Sequence, residues 1–142
     1  MAKQASLFLA VGLGAALGSV ARSLASVGMI QLFGLGFAWG TLGVNILGSL
    51  LIGLYAAMTE PEDCITASPA ARHFVMTGFC GGFTTFSFFS LETLLFIERG
   101  DLALAGLNAG LSVLFWLAAV WLGYRLGIRL NRTDVFLSCR KR

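Results

Sequence analysis

The sequence predicts an all-α integral membrane protein of four transmembrane helices, the third of them broken in mid-span. Three observations lead there. The 142 residues are 57% hydrophobic and only 12% charged, about half the charged fraction of a soluble domain. The charges cluster, so four windows are nearly free of them, each about as long as or longer than the ~20 residues a helix needs to cross a bilayer. Inside the third window two adjacent glycines precede a run of hydroxyls: Gly81-Gly82-Phe83-Thr84-Thr85-Phe86-Ser87-Phe88-Phe89-Ser90.

The first helix is expected over about residues 6–32. It contains Arg22, and its Gly14-Ala15-Ala16-Leu17-Gly18 is a small-xxx-small surface for close helix packing. Lys3 followed by Leu7 to Val11 has the outline of a secretory leader. The apolar pattern continues past Arg22 to Leu32, however, and reads as a span. The second helix, about 40–58, opens Gly40-Thr41-Leu42-Gly43-Val44-Asn45 and so places an amide inside the membrane. Interhelical glue and a polar lining are both open uses for it. The third, about 71–96, holds the glycine and hydroxyl run. Glycine weakens a helix, and backbone freed by a break must find partners because lipid offers none. Such a break survives only when it is buried in protein or lines a cavity. The fourth helix, about 102–128, carries Asn108 and Ser112 at i and i+4, on one face. A basic tail, 129–142, follows. One domain of four spans is expected, without soluble appendage.

Several classes of function fall away. Cys64, Cys80 and Cys139 have no metal-ligand spacing, and His73 is the single histidine, so neither a metal cluster nor a hydrolytic relay can be assembled. The net charge of +3 comes mostly from the tail and suits anionic headgroups and orientation better than nucleic acid. Glu92 is the one carboxylate well inside a span; an intramembrane acid is a functional candidate by default, with capping or a salt bridge near the interface as the equal alternative.

The remaining polar groups inside the spans share a sign. Asn45, Thr84, Thr85, Ser87, Ser90, Asn108 and Ser112 are neutral donors. Phe86 and Phe89 stand three apart on one helical face, immediately after the broken turn. Aromatic rings are electropositive at their edges, so two edges with amide and hydroxyl donors can replace water around a small anion. Neutral donors leave that anion free to depart, as conduction requires.

Gly40-Thr41-Leu42 with Asn45, and Gly78-Phe79-Cys80-Gly81-Gly82-Phe83-Thr84-Thr85-Phe86-Ser87 with Phe89-Ser90, closely resemble the fluoride channel family known as Fluc or CrcB. Gly18 to Arg22 and the Glu98-Arg99-Gly100 loop extend the likeness over essentially the whole chain. The resemblance implies a dual-topology antiparallel dimer with two pores, passing fluoride passively out of the cytoplasm through a bacterial inner membrane. It implies Asn45 in each vestibule, with Phe86 of one subunit and Phe89 of the other facing fluoride. Asn108 and Ser112 would lie on a polar track, with Thr85 and Ser87 beside the path. The backbone carbonyls of Gly81 and Thr84 would hold one central structural Na+, supplied by both subunits. Arg22 would anchor the helix end or set the vestibule potential. Three positions depart from the family pattern: Phe88 stands in place of a small hydroxyl, Trp116 where glycine and serine are common, and Asn108 where some members carry tyrosine.

Antiparallel pairing of one sequence needs nearly balanced positive charge, and this chain is lopsided when the tail is counted. A homodimer is favoured, with a heterodimer of paralogues as the alternative. Two other classes of function stay in view: a proton-coupled small-molecule exporter, for which Glu92 would have to carry the proton, and a non-conducting membrane subunit.

Overall fold

The computed structural model describes residues 2–34, 36–59 and 67–138, with side chains described from residue 4 to 131. Cys64, Cys139, most of the acidic connection after Thr59, and the tail side chains from Arg132 onward lie outside the described residues.

Every regular element among the described residues is helical. Helix α1 spans Ala2–Phe33 and α2 spans Trp39–Met58. The third crossing is composite: α3 (Pro69–Arg72), a π-helical segment His73–Cys80, α4 (Gly81–Phe83) and α5 (Phe86–Glu98). Helix α6 runs Leu102–Ser138, well past the end of the apolar pattern near Ile128 and into the stretch expected to be tail. Gln4–Phe33, Trp39–Met58, Pro69–Glu98 and Leu102–Asn131 are each long and apolar enough to cross a membrane. The protein is a multi-pass membrane protein.

The helix ends follow local chemistry. Ser68 caps α3, its side chain accepting from the Ala71 N–H at 3.2 Å, with Pro69 at the first helical position. Gly34 and Gly100, at φ +78° and +81°, take the left-handed turn that closes α1 and α5. After Gly100 the Asp101 N–H reaches back to the Phe96 carbonyl at 2.9 Å, which turns the chain sharply into α6.

Packing is close where side chains are smallest. Helix α2 lies along α6, and α1 lies along the π-helical segment and α4. A Cβ on Gly53 would collide with the Val120 carbonyl, and one on Gly123 with the Leu50 carbonyl. Gly14 and Gly18 stand the same way against the carbonyls of Phe74 and Phe79. The small-xxx-small surface of α1 therefore seats the third crossing. Large apolar side chains such as Leu9, Leu13, Leu24, Leu117 and Trp121 point outward and are more than half exposed. A water-soluble chain does not leave so much apolar surface uncovered; lipid accepts it.

Candidate functional site

The π-helical segment delivers the chain to Gly81, α4 ends at Phe83, and the next two residues leave the helix. Thr84 (φ −86°, ψ 161°) and Thr85 (φ −151°, ψ 122°) are extended before α5 resumes at Phe86. An uninterrupted α-helix would pair Thr85 N–H with the Gly81 carbonyl and Phe88 N–H with the Thr84 carbonyl. Neither pair forms. The Thr85 N–H instead donates to Asn45 Oδ1 at 2.7 Å, while Asn45 Nδ2 donates to the Thr85 carbonyl at 2.9 Å. The Phe88 N–H donates to Thr85 Oγ1 at 3.2 Å, making Thr85 the N-cap of α5. The carbonyls of Gly81 and Thr84 are thus among those that lose their usual helical partners at the break, the Thr85 and Phe88 N–H groups being bound elsewhere.

Asn45 is buried, as are Thr85, Asn108 and Ser112. The second helix holds Asn45 in place because Gly48, one turn on, lets the third crossing come close: a Cβ there would strike Thr84 Cγ2. Thr84 turns its hydroxyl back to the Cys80 carbonyl at 2.9 Å. Thr85 Oγ1 and Ser87 Oγ share a hydrogen bond at 3.1 Å. A cavity of about 310 Å³ opens beside the turn, lined by Asn45, Gly81, Thr84, Thr85, Phe86 and Trp116 among others.

Phe86 and Phe89 do meet, with ring centroids 5.5 Å apart and planes tilted by 46°. Their environments differ sharply: Phe86 is 71% exposed and Phe89 only 9%. Asn108 donates through Nδ2 to Thr93 Oγ1 at 2.9 Å, and the Thr93 hydroxyl donates to the Phe89 carbonyl at 2.7 Å. Thr93 escaped the sequence analysis; its place one helical turn after Phe89, on the same face, was the signal available. The indole of Trp116 stands edge to face with Phe89, centroids 5.0 Å apart.

Arg22, Glu92 and Arg99 line a second cavity, about 400 Å³, which reaches Thr85 and Phe88. The Arg22 guanidinium lies over the Phe88 ring, 5.6 Å from its centroid. Glu92 Oε1 accepts from the Thr41 hydroxyl at 2.9 Å, and Oε2 is buried without a hydrogen-bond partner among the described residues. Thr41, read from the sequence only as part of a motif, is thus the carboxylate's partner. No group of three or more His, Cys, Asp or Glu side chains capable of holding a metal occurs among the described residues.

Residues 9–124, which include every side chain of the site described here, match the family described as CrcB-like protein, Camphor Resistance (CrcB). The chain belongs to the CrcB family. Near-full-length relatives agree. A protein named Fluoride-specific ion channel FluC 1 from Rhodopseudomonas palustris (strain BisB18) is 46% identical over 129 residues, covering 91% of this chain and 92% of the relative. Fluoride-specific ion channel FluC from Opitutus terrae is 49% identical, covering 89% and 96%, and its namesake from Hydrogenovibrio crunogenus is 50% identical, covering 84% and 89%. These CrcB relatives are named as ion channels; none of the three is named as an enzyme.

Proposed function

We propose that this CrcB chain is a passive fluoride channel that lets fluoride leave a bacterial cytoplasm through the inner membrane. One observation carries the reading: proteins named as fluoride-specific channels match about nine-tenths of the chain at 46–49% identity. The local chemistry agrees with it. Fluoride is small and strongly hydrated, and the site offers neutral hydrogen-bond donors and aromatic edges in place of water. Asn45 retains a second amide hydrogen beyond the one given to Thr85. Phe86, Phe89, Thr85, Ser87, Asn108 and Ser112 complete the lining. Arg22 and Arg99 draw an anion toward the wider cavity without gripping it in the narrow part.

The working unit in this proposal is an antiparallel dual-topology homodimer with two pores, a heterodimer of paralogues being the alternative. Its third span is broken at the middle of the membrane. The exposure of Phe86 beside a buried Phe89 supports pairing, since a ring left outside one subunit is available to the pore of another. The turn also fits a structural sodium ion. A hard cation seeks oxygen, and the Gly81 and Thr84 carbonyls have lost their helical partners to Asn45 and to the Thr85 hydroxyl. Gly81 further has open space where a side chain would be. When bound, the ion would supply fixed positive potential near the anion path; the residues of this chain hold and orient the donors.

Reconstitution decides it. Liposomes holding the purified chain alone, loaded with fluoride and followed by a fluoride electrode, should empty without a proton gradient. Sealed liposomes containing folded protein would remove the proposal. Drug transport driven by a proton gradient would instead identify an exporter.

A further inference from the structure

We propose that the indole N–H of Trp116 is a fluoride-binding donor in the narrow part of the path. This deepens the fluoride-channel reading and rests on it. The indole Nε1 is buried and has no hydrogen-bond partner among the described residues. An indole nitrogen only donates, so no rearrangement of its own proton can satisfy it. A buried donor left without an acceptor is costly, and an arriving acceptor recovers that cost.

The acceptor available is the permeating ion. Trp116 follows Asn108 and Ser112 at successive i+4 steps of α6, so the three donors form one line along a single face. The other two are almost wholly buried, each 1% exposed. The Trp116 ring touches Phe89 edge to face, and the same side chain borders the cavity that contains Phe86, Thr84 and Asn45. It therefore touches the buried ring while bordering the cavity that the exposed ring also lines, within reach of the proposed path. A neutral N–H suits this position. It rewards an anion that has shed water and imposes no full charge that would trap it.

The three tryptophans, Trp39, Trp116 and Trp121, give three indole cross-peaks in a ¹H–¹⁵N spectrum of the full chain; Trp116→Phe identifies one of them. Titration with sodium fluoride should move that peak downfield, while sodium chloride at equal concentration leaves it in place. Trp116→Phe, which keeps a ring but removes the donor, should slow fluoride efflux roughly ten- to hundredfold, as expected for losing one buried hydrogen bond to a charged group. Two results overturn the proposal while leaving the channel function intact: an indole proton held upfield by the Phe89 ring and indifferent to fluoride in protein that conducts, or wild-type efflux from Trp116→Phe with slow efflux only from Trp116→Leu. Absence of efflux from the wild-type chain overturns both readings together. The spectrum is taken on the unmutated fold, so a variant that misassembles cannot shelter the proposal.

Discussion

Thr85 gives its N–H to the side chain of Asn45, 2.7 Å away, and not to the carbonyl of Gly81. One amide on α2 therefore both opens the third crossing and satisfies the backbone that the opening exposes. Asn45 and Thr85 are both buried, and a buried backbone group without a partner is costly, so the clamp and the break depend on each other.

Removing the clamp should be felt first as instability. Asn45→Leu keeps the branched outline in a bulkier apolar form and leaves the Thr85 N–H and carbonyl without partners, at about 1–3 kcal/mol for each. Thermal unfolding in detergent should show the loss, and fluoride efflux should fall with it. Asn45→Asp restores an acceptor for the Thr85 N–H but brings negative charge to an anion path. It should recover part of the stability and none of the flux.

The two phenylalanines should separate flux from stability. Phe86→Ile alters a ring that is 71% exposed in the subunit and should leave subunit unfolding nearly unchanged. Phe89→Ile disturbs a buried ring packed on Trp116 and should lower stability by about 1–3 kcal/mol. Both should reduce fluoride efflux roughly tenfold or more, equivalent to about 1.4 kcal/mol. Electrode-monitored efflux and thermal unfolding in detergent measure the two effects side by side.

Thr84 offers a test of the turn. Thr84→Val loses the hydroxyl bound to the Cys80 carbonyl and frees the residue to shift its own carbonyl. The sodium concentration needed for half-maximal efflux should rise roughly fivefold, the equivalent of about 1 kcal/mol. Thr84→Ser should behave as wild type. An unchanged sodium response in Thr84→Val would remove this turn as the cation site.

Glycine substitutions should divide by location. Gly53→Ala and Gly123→Ala force the α2 and α6 backbones apart and should cost about 1–3 kcal/mol as overpacking. Gly12→Ala meets nothing within 4 Å and should stabilise α1 by up to about 1 kcal/mol through helix propensity. Unfolding midpoints of the three variants are sufficient to check this.

The four spans were legible because lipid imposes one rule, an apolar helix of sufficient length, and a sequence states that rule directly. Gly14 and Gly18 were legible as a packing surface for the same reason. Asn45 was visible as a polar group, yet its partner Thr85 was not, because their meeting depends on how far α2 and the third crossing slide past one another. The bond between Thr41 and Glu92 was hidden likewise. Nothing in His73-Phe74-Val75-Met76-Thr77-Gly78-Phe79-Cys80 announced a π-helix, whose i→i+5 pairing answers to tertiary packing more than to residue preference. Trp116 looked like an intrusion on a polar face until its contact with Phe89 and its unmet N–H were seen together.

The wide turns of His73–Cys80 hold more residues per unit rise than ordinary helix does. The third crossing thereby has slack in its length: losing one residue there can be absorbed by tightening into α-helix, leaving Thr84 and Thr85 at their former height. Helix α2 has no such reserve, and the same deletion ahead of Asn45 would swing its amide a quarter-turn or more away from the main chain it secures. Across related genomes, length changes in this protein should therefore collect in the stretch before the break and avoid the segment that leads to the asparagine.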